Sequence, residues 1–271
     1  MLSDFLRILQ SEMKEPTAFG WYHILWLSFI VIGLIAIYKT KNQRGEQQLK
    51  LVLGLYSIIT LVTEILKQIS WSFEFNELTA SFEFDYLWYS FPFQLCTTPM
   101  YVCLICFLMK ECKLRDYLLS YVAYITILGS ISVIFIPDNC FVESIVANIH
   151  TMCLHYGSFL VSMYLLMSGT VKIHLKEFLK GLSVFFGFVT IANIMNLFMY
   201  NSGITEGETF NMFYISPYFI SELPVFNVIQ QNVPYILFLL TYLVALSLGG
   251  FIIYEIANAS HKIFFKLQKK Q

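Results

Sequence analysis

Cys96 and His155 are the residues whose types suit covalent chemistry in this chain of 271 residues. A thiol becomes a nucleophile once deprotonated, and a neutral imidazole within reach is a common base for that proton. Cys96 lies in the run Phe91-Pro92-Phe93-Gln94-Leu95-Cys96-Thr97-Thr98-Pro99. That run is apolar enough for a membrane but carries groups that anchoring does not require. In lipid such groups are costly unless neighbouring helices satisfy them, so they face a bundle interior. Gln94, or backbone N–H groups released near Pro92 and Pro99, would steady an oxyanion. Glu64, Asn193 and Asn196 are the groups available to orient the imidazole. His23, Thr97, Thr98, His150 and Thr151 complete the expected chamber.

A plainer reading stands beside this one. Buried cysteines are commonly small packing residues. Pro92, Cys96, Pro99, Cys103 and Cys106 recur at steps of 4, 3, 4 and 3, which also suits a close helix contact. Ser, Thr and Asn in membrane helices often serve only to hydrogen-bond one helix to the next. Spacing alone leaves both readings open.

Metal and cofactor chemistry find less support. His150 and His155 are five residues apart, about 140° around a helix, so they do not converge on one ion. Cys103 and Cys106 form a C-x-x-C with no second pair. The last apolar window, Val233–Ile256, holds no lysine for a Schiff base. The expectation is no metal and no cofactor.

The elements that position these residues follow from composition. The chain is 57% hydrophobic and 13% charged, about half the usual charged fraction, which marks a polytopic membrane protein. A net charge of −1 gives no reason to expect a nucleic-acid partner. Seven windows approach the roughly 20 apolar residues that cross a bilayer: Trp21–Tyr38, Leu49–Ile69, Leu87–Met109, Tyr117–Ile136, Ser144–Met167, Phe178–Tyr200 and Val233–Ile256. The connections alternate in charge. Lys39, Lys41, Arg44 and Lys50 follow the first window, Lys110, Lys113 and Arg115 the third, and Lys172, Lys176 and Lys180 the fifth. The intervening loops contain Glu74, Glu77, Glu83 and Asp85, then Asp138 and Glu143, then Glu206, Glu208 and Glu222, without Lys or Arg. The positive-inside rule places the N-terminus outside and the C-terminus in the cytoplasm.

The expected fold is therefore all-α: one seven-transmembrane-helix bundle over residues 1–271. Residues 1–20 read as an interfacial segment rather than a cleaved signal, and 257–271 as a basic cytoplasmic tail. In the second, fifth and sixth windows the polar residues step by three and four, so each set should face inward. The sixth set is Ser183, Gly187, Thr190, Asn193, Asn196 and Tyr200. Counted from the outer ends at about 1.5 Å per residue, Cys96, His155, Glu64, Asn193 and Asn196 share one layer of the outer half.

His23 at the head of the first window, F-P-F-Q-L-C at 91–96, L-H-Y-G-S-F-L at 154–160 and V-P-Y at 233–235 resemble the bacterial YwaF-like integral membrane family, which is related to eukaryotic transmembrane protein 164. The resemblance implies a seven-helix acyltransferase of glycerolipids, with Cys96 and His155 as reacting groups. Where relatives read P-L-H-L-C, this chain has Gln94 in place of the histidine. The expected partners are membrane phospholipids or lysolipids as substrates, and the expected location is the cell membrane. The alternative expectation is a non-enzymatic transporter or receptor that binds a small ligand in the outer polar layer.

Overall fold

The computed structural model describes residues 2–40 and 45–268. Lys41, Arg44, Lys269 and Lys270 therefore lie outside the described residues. A short amphipathic helix, α1 (Leu2–Leu9), comes first. It buries Leu6 and Leu9 and leaves Leu2, Phe5 and Ile8 exposed. Gln10 Nε2 donates to the Ser70 carbonyl at 2.9 Å, and Ser70 Oγ donates to the Leu9 carbonyl at 3.2 Å. These bonds tie α1 to the chain around Ser70.

The long helices follow: α2 (Trp21–Thr40), α3 (Glu46–Trp71), α4 (Thr98–Leu108), α5 (Lys113–Tyr121), α6 (Ile127–Phe135), α7 (Ile145–Met167), α8 (Leu175–Ser202), α9 (Phe226–Asn232) and α10 (Tyr235–Gln268). A π-helical turn over Val122–Thr126 joins α5 to α6 without a break. Among the described residues, five segments are long and apolar enough to cross a membrane: Trp21–Thr40, Glu46–Trp71, Lys113–Phe135, Leu175–Ser202 and Tyr235–Ile263. Their outward faces expose Ile24, Phe29, Ile32, Leu51, Ile58, Ile194, Leu240 and Leu248. So much apolar surface on separate helices calls for lipid as its solvent. The chain is an integral membrane protein.

Three expectations need correction. The third window is not a continuous helix. It starts as a 3-10 turn at Trp88–Ser90, runs irregularly through Cys96, and becomes helical only at Thr98. Pro92 and Pro99 supply the reason: neither can donate an N–H to the preceding turn, and each disfavours helix in the residue before it. The chain is also not purely helical. Strands β1 (Phe73–Asn76) and β2 (Ser81–Phe84) form an antiparallel hairpin in the loop after α3. Alternating Phe and Glu write that hairpin, with Phe73 against Phe84 at 5.5 Å and Phe75 against Phe82 at 5.1 Å between ring centres.

The third correction concerns α8. Ser183, Gly187 and Thr190 are exposed, while Phe178, Gly181, Phe185, Val189, Ala192 and Asn196 are buried. The Ser183 and Thr190 hydroxyls donate to their own helix, at Lys180 and Phe186 carbonyls. A hydroxyl satisfied within its helix can face lipid at little cost, so the polar stripe does not set the inward face. Close packing sets it instead. A Cβ at Gly181 would stand 2.6 Å from the Ser120 carbonyl oxygen, so α8 lies directly on α5. In α3 and α7 the expected inward faces are observed: Ser57, Thr60, Glu64 and Lys67 are buried, as are Asn148, His155, Ser158 and Ser162, with Thr151 of the same set half-buried.

At the basic end, Arg115 joins Glu46 through two contacts of 2.8 and 3.0 Å. This pair links the starts of α5 and α3.

Candidate functional site

Cys96 stands in a tight turn directly ahead of α4. Thr97 Oγ1 accepts from the Gln94 N–H at 2.8 Å and donates to the Gln94 carbonyl at 2.9 Å. Thr98 Oγ1 donates to the Leu95 carbonyl at 2.8 Å and meets the Tyr121 hydroxyl at 2.6 Å. The two threonines thus bracket the thiol and brace its turn against α5. The N–H groups of Leu95 and Cys96 itself have no acceptor on any other described residue. Both lie on the N-terminal side of a helix, where the free N–H groups and the dipole favour negative charge.

The remaining predicted residues fall into separate groups. On α3 and α7 a charged cluster forms. Glu64 Oε1 meets Lys67 Nζ at 2.9 Å and accepts from Gln68 Nε2 at 2.7 Å. Glu64 Oε2 lies 2.8 Å from His150 Nε2, off the ring N–H direction and without a well-aligned hydrogen bond. His150 Nδ1 faces Thr63 Oγ1 at 3.2 Å. Gln68 Nε2 donates on to the Ser90 carbonyl at 2.7 Å, reaching the turn that leads into the Cys96 run. Glu64, Lys67 and His150 are all more than nine-tenths buried. Charges held this far from water persist only when paired, and here each has a partner.

A second group consists of amides, and its task is visible. Gln94 Nε2 donates to the Asn211 carbonyl at 2.9 Å, while Gln94 Oε1 accepts from the Phe213 N–H at 2.7 Å. Asn196 makes the same pair of bonds with Met212, at 3.0 and 2.7 Å. Asn193 Oδ1 lies 2.7 Å from the Tyr235 hydroxyl, and the same hydroxyl lies 2.9 Å from the Ile215 carbonyl, so its one proton has two acceptors in reach. All three amides are occupied by the loop between α8 and α9, or by the tyrosine that meets it. That loop is a plug rather than a loose cover. Phe210, Met212, Phe213 and Ile215 are buried in the main core. Phe213 packs against Phe93 at 5.8 Å between ring centres.

The plug is pinned from outside as well. Glu208 accepts from the Trp88 N–H at 3.1 Å, and Tyr89 donates to Glu222 at 2.6 Å. Burial raises the Cys140 thiol in the acidic loop.

His155 belongs to neither group. It is buried on α7 near the Gly129 backbone of α6. Among the described residues no hydrogen bond joins it to Cys96. His23 accepts from the Phe19 N–H at 2.9 Å and packs on Phe141 and Tyr156. Thr151 is half-buried on the same helix as His155. Among the described residues no group of His, Cys, Asp and Glu is arranged to hold a metal ion.

Residues 18–253 match the sequence profile of the TMEM164 family. The chain belongs to the TMEM164 family. No curated protein and no solved structure matches it. The matched region of this family member contains every residue of the two groups above, together with Cys96 and His155.

Thr63, Gln68, Ser90 and Asn211 were not singled out from the sequence. Gln68 had a signal, being four residues after Glu64 on one helix face. Asn211 and Ser90 had none, because both act through backbone atoms more than twenty positions away or through a loop of irregular shape.

Proposed function

We propose that this chain is an intramembrane acyltransferase that moves a fatty acyl group between glycerophospholipids through a thioester on Cys96. Cys96 thiolate attacks the ester carbonyl, the C–O bond breaks, and the lysolipid alkoxide leaves with a proton from the protonated base. A second lysolipid hydroxyl gives its proton to that base, attacks the thioester and releases the thiolate. His155 is assigned as the base. Catalytic hydrogen bonds are often long before substrate enters. Water in place of the second lysolipid makes the same site a lipase.

The observation that carries this reading is the setting of Cys96 within a TMEM164 family chain. The thiol sits in a non-helical turn on the N-terminal side of α4, braced by Thr97 and Thr98. We assign seven crossings, with α4 and its preceding turn as the third and α7 as the fifth. The charge alternation of the loops supports an outside N-terminus and a place in the cell membrane.

The test is acyl exchange by the purified chain in vesicles of phosphatidylcholine with a labelled lysolipid. Cys96→Ala should abolish transfer while leaving the thermal midpoint in place. Transfer at the unaltered rate in that variant would sink the proposal. His155→Ala should cost a similar factor, because residues acting as a unit are strongly non-additive.

One observation favours a second reading. Gln94 and Asn196 are occupied with the plug and Asn193 with Tyr235, which suits a bundle that binds a small ligand without reacting with it. Saturable binding with no labelling of Cys96 by an acyl-thioester-forming probe would decide for that reading.

A further inference from the structure

Helix α1 is covered by protein on one side only. At 8 residues it is too short to persist in water by itself, so its stability depends on what lies against its faces. Leu6 and Leu9 take up the side toward the protein and are buried. Leu2, Phe5 and Ile8, spaced by three, form an apolar strip next to them that stays 66%, 43% and 69% exposed.

The contacts of α1 fix where that strip points. Arg7 lies 5.4 Å over the centre of the Phe75 ring in β1. Gln10, directly after the helix, donates to the Phe73 carbonyl at the root of the same strand. At about 100° per residue, Phe5 stands roughly 160° from Arg7 and Ile8 about 100° from it. The strip therefore turns away from the hairpin. The hairpin is the wet side, since Glu74, Glu77, Glu83 and Asp85 on or beside it are all exposed.

The height of α1 is fixed too. Ser70, in the last turn of α3, bonds the Leu9 carbonyl. Beyond α1, the Met13 N–H donates to the Glu143 carbonyl at 2.8 Å, and the Ile145 N–H donates to the Ser11 carbonyl at 3.2 Å, at the start of α7. The Ala18 N–H donates to Asp138 at 3.0 Å, just before α2 begins. Residues 2–20 thus run as a strap past the end of α3 and the starts of α7 and α2. Exposed Phe19 and Trp21 stand at the same end. Helix ends are where a membrane protein passes from acyl chains to headgroups, and aromatic side chains collect there.

We propose that α1 docks on the outer leaflet, with Leu2, Phe5 and Ile8 entering the boundary between headgroups and acyl chains of zwitterionic lipid. Lipid then covers the strip that the protein leaves bare, continuing the surface that clothes Ile24 and Leu25 of α2. The choice of lipid follows from charge. The exposed carboxylates of the hairpin stand close by and repel anionic headgroups. Acyl transfer has no part in this docking.

The experiment places the photoreactive residue p-benzoylphenylalanine at Ser3, Phe5 or Ile8 in the full-length chain, in nanodiscs of phosphatidylcholine. Mass spectrometry reads the adducts after illumination. Positions 5 and 8 should capture phospholipid several times more than position 3, which is exposed near the Arg7 side. Replacing half of the lipid by phosphatidylglycerol should lower that capture. In a second measurement, Phe5→Ser with Ile8→Ser should speed hydrogen exchange of the α1 amides about tenfold in the same nanodiscs, with α3 and α7 unchanged. Equal capture at the three positions, adducts to protein alone, or unchanged exchange in α1 would overturn the docking. Capture that rises with phosphatidylglycerol would overturn the choice of a zwitterionic surface.

Discussion

Replacing Asn196 by Leu tests whether the amides hold the plug. Leu has a similar volume and suits the neighbouring Phe185 and Ala192 side of α8, so the change creates little void. What it removes is a matched pair of bonds, at 3.0 Å to the Met212 carbonyl and 2.7 Å from the Met212 N–H. Met212 is fully buried, so both of its backbone groups would lose their partners away from water. An unsatisfied buried polar group costs about 1–3 kcal/mol. Two such losses, reduced because the loop can open toward water, come to about 2–4 kcal/mol for local opening. At about 1.4 kcal/mol per factor of ten, amide protection across residues 210–216 should fall by roughly 30- to 1,000-fold. Hydrogen exchange by mass spectrometry on the chain in detergent or nanodiscs reads this directly. Protection in α5 and the π turn should hardly change, because no bond of Asn196 reaches them. Unchanged exchange in the loop would refute the assignment of Asn196 as its clamp. A uniform loss over every helix would point to global destabilisation instead.

Further predictions follow from other contacts. Gln94→His should weaken the same loop by a smaller amount, since an imidazole cannot match both the donor to Asn211 and the acceptor from Phe213 in one plane; loop protection should drop about tenfold. Gly181→Ala should lower the thermal midpoint clearly, because its Cβ would meet backbone of Ser120 at 2.6 Å, whereas Gly187→Ala, with open space at that point, should be neutral or mildly stabilising. At the basic end, Glu46→Gln should cost more thermal stability than Arg115→Met. The first leaves a guanidinium buried at 2% exposure without its anion, and the second leaves a carboxylate at 38% exposure that water and Lys50 can serve. Equal losses for the two would show that the pair does not act through desolvation.

Composition and periodicity determined that this chain enters a membrane and where most of its helices run. Long apolar runs have few solutions there, since every backbone group in lipid must be bonded within its own helix. The inward faces of α3 and α7 were also legible, because charged and imidazole groups cannot be left toward lipid. Ser and Thr carry no such constraint, and the α8 stripe accordingly misled. Cys96, Glu64 and His150 were recognisable by type. Only the tertiary structure decided that Glu64 belongs with His150, while Gln94 and Asn196 belong to the plug. Such partners lie on different helices or on loop backbone, and side-chain spacing along one helix carries no information about them. The broken start of the third window joins both kinds of knowledge. Its prolines announced an irregular segment, but the turn that brackets the thiol between Thr97, Thr98 and Tyr121 exists only once α5 is packed against it.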